Sequence, residues 1–385
     1  MNDFLPFALP DIGDEEIAAV ISTLRSGWIT TGPRTKEFEA QIATAVGSKH
    51  CVAVNSCTAA LHLSLEAIGV KADDEVVVPT MTFAASAEVV RYLGATPVLV
   101  DVRSSDHNVD PAAVEQAITP RTRAIIAVHF AGVPCDIDDL SRIARAHRLP
   151  LIADAAHALP CSYRGRQVGT LADITCFSFY ATKTVSTGEG GAATTDNAEW
   201  ADRMRVMSLH GISRDAWKRY SADGNWYYEI IAPGYKYNLT DIASALGIVQ
   251  LRRAEQMLHR RRDIATFYDE AFLREPGVEL LKPPRDRTNA HHLYVLKLNP
   301  AVLRITRDHF IQELKARGIG TSVHFIPLHM HPYYRDTFGY TPDRLPVATD
   351  VYQRSISLPI YSKMTDGQVL RVTAAVKAVL REYRR

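Results

Sequence analysis

The sequence predicts an α/β fold, in which a mostly parallel central sheet lies between helices and a smaller α+β domain follows in the C-terminal part. Over roughly the first 200 residues, short apolar runs of three to five residues alternate with helix-length segments, which is the pattern of parallel strands covered on both faces. After Gly191 the pattern changes to a long helical stretch, and then to strand-like runs between helices. We therefore expect a large domain over residues 1–250 and a small domain over residues 251–385.

The composition is that of a globular protein. The chain has 385 residues, of which 46% are hydrophobic and 23% charged, and this excludes disordered and fibrous classes. Its 44 Lys and Arg residues balance 43 Asp and Glu residues, so we expect neither nucleic acid nor a membrane as a partner. An acidic N-terminus, the lack of a long apolar run, and five cysteines without a C-x-x-C pair predict a cytoplasmic location.

Two helices are expected before the first strand. The first is capped by Asp14 and ends at Gly27. Its apolar residues fall on one stripe at helical spacing: Ile17, Val20, Ile21 and Leu24. The second helix spans Arg34–Val46, with Phe38 and Ile42 facing inward.

The strands and the remaining helices follow from the apolar runs. The runs that predict strands of the large sheet are Cys51–Val54, Val76–Val78, Pro97–Val100, Ala124–Val128 and Leu151–Ala153. The segments that predict helices between them are Thr58–Ile68, Phe83–Leu93 and Ile137–Ala146. Later elements are expected at Asp241–Phe272, Arg307–Arg317 and Gly367–Arg381 as helices, and at Leu293–Leu298 as a strand. Because an open parallel sheet binds ligands beyond the carboxyl ends of its strands, the residues that follow the strands are the candidates for a site.

Three features in such positions indicate one kind of chemistry when they occur together. Asp154 ends an apolar run, where a carboxylate is either functional or part of a helix cap or ion pair. Lys183 follows the aromatic segment F-S-F-Y, and a desolvated lysine is a nucleophilic amine, although a surface lysine is the alternative. Residues 55–58, N-S-C-T, lead into a helix whose first N–H groups bind a phosphate or are simply capped. Pyridoxal 5′-phosphate needs all three: an amine for its aldehyde, a carboxylate for its ring nitrogen, and a site for its phosphate.

The same residues lie in stretches that match a known family. The stretches are S-G-W-I-T-T-G-P (26–33), N-S-C-T-A-A-L (55–61), H-F-A-G-V-P (129–134), D-A-A-H-A (154–158), F-S-F-Y-A-T-K (177–183), A-P-G-Y-K-Y-N-L-T-D (232–241) and G-I-G-T-S-V-H-F (318–325). Over essentially its whole length the sequence resembles the DegT-type nucleotide-sugar aminotransferases. The resemblance implies the fold type I aminotransferase architecture, with pyridoxal 5′-phosphate as the cofactor of the large domain.

The resemblance also implies roles for individual residues. Lys183 would hold the cofactor aldehyde and then move the proton between the substrate carbon and the cofactor, and Asp154 would keep the ring nitrogen protonated. His157 would lie near the ring hydroxyl, and Phe83 would stack on the ring. The residues implied in phosphate binding are Cys57, Thr58 and Ser178. The residues implied in substrate binding are Ile29, Thr30, Thr31, Gly32 and His324.

Asn238 implies that two chains build each site. In the family, the matching asparagine reaches the phosphate of the neighbouring subunit's cofactor, so we expect a homodimer with shared active sites. The implied reaction is ping-pong, with L-glutamate as the amino donor and the keto group of a nucleotide-linked sugar, at C4, as the acceptor. The pattern resembles most that of enzymes acting on UDP-4-keto sugars, such as the pentose on the route to the 4-amino-arabinose of lipid A. Enzymes for 4-keto-6-deoxyhexoses share most of these residues.

Other interpretations stay open at this point. A cysteine desulfurase or a β-eliminating lyase uses the same fold and lysine, but no cysteine lies on an evident loop of the C-terminal half. A cofactor-binding regulator would need an added DNA-binding domain, for which the chain has no spare segment. The histidines of 324–331 do not indicate a metal, because Pro327 interrupts them and no acidic or cysteine ligand is near. The arginines of 252–262 are interpreted as a solvated helix face, and G-E-G-G at 188–191 as a tight turn.

Overall fold

The computed structural model describes residues 4–213 and 227–385. Its strands are β1 (His50–Val54), β2 (Glu75–Pro79), β3 (Thr96–Val100), β4 (Thr122–Val128), β5 (Leu151–Asp154), β6 (Ser162–Tyr163), β7 (Arg166–Gln167), β8 (Ile174–Ser178), β9 (Gly191–Thr195), β10 (Val278–Leu280), β11 (Tyr294–Leu298) and β12 (Ser355–Leu358). Its α-helices are α1 (Asp14–Ser26), α2 (Pro33–Val46), α3 (Cys57–Ala67), α4 (Ala85–Tyr92), α5 (Pro111–Gln116), α6 (Ile137–His147), α7 (Ala198–Met207), α8 (Asp241–Arg252), α9 (Ala254–Phe272), α10 (Arg307–Ala316), α11 (Pro332–Phe338), α12 (Pro346–Arg354) and α13 (Asp366–Glu382).

Seven strands form the central sheet, in the order β1-β9-β8-β5-β4-β2-β3. The pairs from β3 to β8 are all parallel, as predicted. The pairs of β9 with β8 and with β1 are antiparallel. The first apolar run is therefore an edge strand that pairs antiparallel with its neighbour, and the sheet is mostly rather than wholly parallel.

Both faces of the central sheet are covered by apolar clusters. One cluster includes Phe38 and Ile42 of α2, which are fully buried as predicted, together with residues of α6 and α8. The cluster on the opposite face is built from α3, α4 and α7. Burial on both faces explains why the strands are continuous apolar runs rather than alternating ones.

The helix α1 differs from its prediction in two ways. Its N-cap is Gly13, so Asp14 is its first residue rather than its cap. Its apolar stripe points away from the fold, because Ile17 and Leu24 are 52% and 51% exposed. The helix instead buries Glu16, whose carboxylate accepts hydrogen bonds from Gln250 and Arg253.

The expected single helix over 241–272 is two helices. The helix α8 ends at Arg252, Arg253 caps its C-terminus, and α9 begins at Ala254. The side chain of Arg253 turns toward the N-terminal segment, where it pairs with Asp11 at 3.0 Å and with Glu16 at 2.6 Å. Apolar periodicity alone does not reveal a break of this kind, because each half keeps its own helical pattern.

The C-terminal part contains a second sheet of three antiparallel strands, in the order β10-β11-β12. It packs with α9, α10 and α13 in a separate apolar cluster, which Leu5 from the N-terminal segment also joins. Leu5 reaches this cluster by hydrogen bonds with the backbone of Gly318 and Gly320. Within the described ranges, no helix is both long and apolar enough to cross a membrane.

Candidate active site

A cavity of about 450 Å³ lies at the carboxyl-end edge of the central sheet. Val128, Asp154 and Ser178, the last residues of β4, β5 and β8, line it. Of the residues predicted for the site, those that line the cavity are Cys57, Thr58, Phe83, Asp154, His157, Ser178, Lys183 and His324. The structure thus brings together residues that lie up to 267 positions apart in the chain (324 − 57).

Asp154 is a buried carboxylate that its neighbours hold in place. Its Oδ2 accepts a hydrogen bond from Ser86 Oγ at 2.7 Å, and its Oδ1 accepts one from the Ala156 backbone N–H at 3.1 Å. Burial raises the pKa of this carboxyl, and the two hydrogen bonds oppose that rise. A cation placed against Asp154 would favour the ionised form, so the residue fits a partner that carries a protonated nitrogen.

Lys183 lies in the turn after β8, with its amine directed into the cavity. Burial lowers the pKa of Lys183 to about 8, and the nearby Cys57 and Asp154 oppose this effect. At pH 7 roughly one amine in ten is then neutral, which is far more than for an exposed lysine. The residue has the properties of a nucleophilic amine.

The start of α3 also lines the cavity, through Ser56, Cys57 and Thr58. Ser56 caps the helix by accepting a hydrogen bond from the Ala59 N–H at 3.0 Å, while the first N–H groups of the helix have no partner within it. The strand β9 passes very close, since a Cβ at Gly191 would lie 2.4 Å from the Cys57 nitrogen. Over 188–191, where the sequence predicts a tight turn, the chain bends at Glu189 and enters β9 at Gly191, and Gly188 has a φ of +81°. This helix start can bind a phosphate through its N–H groups and its dipole.

Three histidines also line the cavity, His157, His292 and His324. The rings of His157 and His292 lie 4.4 Å apart, and the ring of His157 stacks on Phe325 at 5.9 Å. His324 is held by a 2.9 Å hydrogen bond between its Nδ1 and Ser357 Oγ. Burial and the charge of Lys183 lower the pKa of His324 to about 4 and keep His157 neutral by the same two effects.

The segment Ile29–Gly32 and Asn238 are absent from the cavity lining in the described parts of this chain. They form one hydrogen-bonded group outside this lining: Asn238 Nδ2 donates to Thr31 Oγ1 at 2.7 Å, and Thr31 Oγ1 donates to the Leu239 carbonyl. Asp241 fixes the end of the same segment, as its Oδ1 accepts from the Gly32 N–H at 2.7 Å. Ile29 and Thr30 are exposed.

Sequence reasoning missed residues that line the cavity or hold its side chains. The largest omissions are Ser86, which holds Asp154, and His292, whose Nε2 lies 3.4 Å from Lys183 Nζ. Ser86 is 68 positions from Asp154 and His292 is 109 positions from Lys183, and neither lies at the end of a strand of the central sheet. Their contacts follow only from the three-dimensional fold.

Two arginines of the 252–262 stretch and one histidine of 324–331 make structural contacts. Arg261 does not belong to a solvated face: it is only 3% exposed, and it donates to the Ile360 carbonyl at 2.8 Å. Its neighbour Arg260 donates to the Met364 carbonyl. His329 is a structural residue, because its two ring nitrogens bond Thr80 and a second threonine, at 2.8 and 3.0 Å.

The cavity therefore has the features that pyridoxal 5′-phosphate requires. Lys183 can bind an aldehyde, Asp154 can face a ring nitrogen, and the start of α3 can bind a phosphate. His157 Nδ1 is buried and has no hydrogen-bond partner among the described residues, so a polar group is still missing beside it. The donors, the acceptors and this unmatched nitrogen fit the cofactor.

The DegT/DnrJ/EryC1/StrS aminotransferase family matches residues 10–377 of the sequence. The chain belongs to this family. It is 48% identical over 381 residues to the spore coat polysaccharide biosynthesis protein SpsC of Bacillus subtilis, covering 99% of this chain and 98% of SpsC. As a member of the DegT family the chain is a sugar aminotransferase, and the resemblance stated from its motifs is confirmed.

Solved structures of similar proteins agree with the fold. The putative sugar aminotransferase Spr1654 of Streptococcus pneumoniae, solved in PLP and PMP forms, is 37% identical with a TM-score of 0.92. In its PMP form, 98% of each chain is covered. DesI, solved in the presence of its TDP-sugar product, is 33% identical with a TM-score of 0.88, over 99% of this chain and 93% of that one. This DegT-family enzyme therefore has the expected aminotransferase fold and uses pyridoxal 5′-phosphate.

Proposed function

We propose that this enzyme transfers the amino group of L-glutamate to C4 of a nucleotide-linked 4-keto sugar, as a homodimer with shared active sites. The main observation in support of the proposal is that Lys183, Asp154 and the start of α3 line the same cavity. DesI, a relative solved with a TDP-sugar product, supports a nucleotide sugar as the substrate. The two cofactor forms of Spr1654 support a ping-pong reaction, in which the donor and the acceptor react in turn.

In this proposal Lys183 binds the cofactor and later carries the proton. When bound, pyridoxal phosphate supplies a ring that accepts electron density from the reacting carbon of the substrate. The amine of Lys183 would take the proton from that carbon and then deliver it to the cofactor. An amine with a pKa of about 8 can both accept and donate a proton near neutral pH. Asp154 keeps the ring nitrogen protonated, and its buried position strengthens that interaction.

The other site residues bind and orient. The N–H groups of Cys57 and Thr58, with the hydroxyl of Ser178, hold the phosphate at the start of α3. Phe83 would stack on the ring, and its 63% exposure leaves most of its own surface open to the cofactor, a substrate or a partner chain. His157 supplies a hydrogen bond to the ring hydroxyl, which would satisfy its unpartnered nitrogen.

The predicted site residues that do not line the cavity support an active site shared between two chains. Asn238 and the segment Ile29–Gly32 form one hydrogen-bonded unit away from this chain's own cavity, so we propose that they serve the cavity of the other protomer. The exposed apolar stripe of α1 supports the same arrangement. Its side chains Ile17, Ile21 and Leu24 form an apolar surface that favours burial in an interface between subunits. His324, at the cavity wall, would contact the sugar substrate within the same chain.

We also propose the division into domains at residue 250 and a cytoplasmic location. The apolar cluster of the second sheet supports the division, because all its members but Leu5 come from residues 264–380. All five cysteines are free, and four of them are buried, which supports a reducing compartment.

The proposal is tested by assaying the purified enzyme with L-glutamate and a panel of UDP-, dTDP- and GDP-linked 4-keto sugars. We expect the yellow protein to bleach when L-glutamate is added, and a 4-keto sugar to restore the colour and yield an amino sugar. Bleaching by another amino acid but not by glutamate would refute the donor, and amination of 3-keto but not of 4-keto sugars would refute the position. The Lys183→Ala variant is the control, and it should show no turnover.

The shared site is tested with mixed dimers. A Lys183→Ala chain and an Asn238→Ala chain should each be impaired alone, and their mixture should regain activity, because one of the two sites then has both residues intact. A mixture that regains no activity, although heterodimers are present by mass spectrometry, would refute the shared site.

A further inference from the structure

His292 is a buried histidine whose ring faces the amine of Lys183. Its Nε2 lies 3.4 Å from Lys183 Nζ, and only 7% of the residue is exposed. Within residues 4–213 and 227–385 it is the only side chain that hydrogen-bonds this amine. In the same part of the chain its other ring nitrogen, Nδ1, has no hydrogen-bond partner. The amine of the central lysine thus has a specific neighbour to which no role has yet been given.

The backbone around His292 is fixed from two sides. The N–H groups of Ala290 and His292 donate to the carbonyls of Gly132 and Ala131, at 3.0 and 3.1 Å. This approach needs a glycine, since a Cβ at Gly132 would lie 2.9 Å from the Cβ of Ala290. From the other side the buried guanidinium of Arg261 donates to the carbonyl of His292 at 3.5 Å and to the preceding carbonyl at 3.2 Å. The backbone that carries the imidazole of His292 is therefore held in place.

The ring of His292 is neutral in this environment. Burial and the positive charge of Lys183 lower the pKa of His292 well below its ordinary value. The titratable groups that face the two side chains are Cys57, Asp154, His157, Arg261 and His324. An ammonium group has no lone pair, so it can only donate, and a neutral imidazole can accept through Nε2 when its own proton is on Nδ1.

We propose that His292 is a positioning residue, which accepts a hydrogen bond from the free amine of Lys183 and holds that amine at the reacting end of the cavity. The inference rests on the proposed role of Lys183. When the amine takes a proton from the substrate carbon it becomes an ammonium with three N–H groups. His292 accepts from one of them and takes no proton itself, so the remaining N–H groups stay directed toward the cavity, where the proton is returned.

Three substitutions separate this role from packing. The amide of His292→Gln can bring an acceptor close to the place of Nε2, whereas the shorter amide of His292→Asn reaches only the place of Nδ1. His292→Phe keeps a ring and has no acceptor. The matched control is His107→Phe, since His107 is 1% exposed and neither of its ring nitrogens has a partner in the described residues.

The readout is the pKa of the Lys183 amine in the full-length protein freed of cofactor. It is measured by reductive methylation over a range of pH, with mass spectrometry of the peptide that contains Lys183. We expect a midpoint of about 8 in the wild type. Loss of the acceptor destabilises the ammonium, so we expect His292→Phe and His292→Asn to lower the midpoint by about one pH unit. We expect His292→Gln and His107→Phe to stay within about 0.3 units of the wild type.

The outcomes distinguish this inference from the proposed function. Equal midpoints in all four variants, or equal shifts in the glutamine and asparagine variants, would overturn the role of His292. If the phenylalanine variant does not fold, the comparison between the two amides decides, because they differ only in reach. Pyridoxal phosphate should protect Lys183 of the wild type from methylation. Failure of that protection would instead refute the assignment of Lys183, whatever the His292 variants do.

Discussion

Asp241 is the acceptor that holds the start of α2 and the segment before it, so its removal should loosen that region selectively. Its Oδ1 accepts from the Gly32 N–H at 2.7 Å, from the Thr35 N–H at 2.9 Å and from the Thr35 hydroxyl at 2.7 Å. Its Oδ2 accepts from the Arg34 N–H at 3.0 Å. Asp241 itself is 1% exposed, and the perturbation we consider is Asp241→Ala.

The size of the effect follows from the hydrogen-bond donors that lose their acceptor when Asp241 is replaced by alanine. Gly32 and Thr35 are buried, so the alanine variant leaves their two backbone N–H groups without an acceptor. The Thr35 hydroxyl can still donate to Ser244 Oγ, at 3.0 Å. Each donor left unpaired costs about 1–3 kcal/mol, and water that enters the space reduces the sum, so we expect a loss of about 3 kcal/mol. The free energy of local opening should fall by this amount over residues 30–36, which corresponds to amide exchange roughly 100-fold faster.

The assay is native-state hydrogen exchange with mass spectrometry of peptides covering α2 and, as a reference, α13. The matched control is Asp366→Ala, because Asp366 and Asp241 are both the first residue of a helix after a threonine cap. The side chain of Asp366 is 87% exposed and pairs with Arg260, so its loss should cost less than about 1 kcal/mol. If Asp241→Ala speeds exchange in α2 no more than Asp366→Ala speeds it in α13, the reasoning is refuted.

Three further predictions concern the cavity. Asp154→Asn should lower kcat by at least about 100-fold in steady-state assays while the cofactor is retained, because a neutral amide does not hold the ring nitrogen protonated; a loss below about tenfold would contradict the assigned role. Gly191→Ala should raise the Kd for pyridoxal phosphate by at least about tenfold in equilibrium titrations, since its Cβ would lie 2.4 Å from backbone at the start of α3. The control is Gly367→Ala in α13, where a Cβ would meet only Thr365 Oγ1, at 3.9 Å; it should leave the Kd unchanged, and equal changes would argue against the clash. In the cofactor-free protein, burial of Lys183 lowers its pKa to about 8, so the rate of its methylation should be half-maximal at about pH 8 and level off above about pH 9, whereas a midpoint above about pH 10 would mean an exposed amine.

The sequence predicts the central sheet well because buried parallel strands are short, continuous apolar runs in the sequence. The runs Ala124–Val128 and Leu151–Ala153 match β4 and β5 within two residues at each end. The site residues that follow such strands, such as Asp154, could be found for the same reason: strand ends of a parallel sheet converge at one edge. The family motifs then gave each of these residues a role.

Features that depend on contacts between distant segments could not be predicted. The apolar stripe of α1 has the pattern of a core-facing helix, and nothing in its periodicity tells whether the core or another surface receives it. Arg261 lies in an arginine-rich stretch that resembles a solvated face, and its burial depends on carbonyl groups about 30 and 99 positions away. The link of His292 to Lys183 depends on a loop that leaves no periodic signal in the sequence.

The central claim is that the amine of Lys183 holds the cofactor aldehyde, and borohydride reduction tests it most directly. The yellow protein is reduced, digested and mapped by mass spectrometry. We predict that the reduced cofactor is found on the peptide containing Lys183, and that the Lys183→Arg variant carries none. A cofactor label on another lysine, with Lys183 unmodified, would contradict the account.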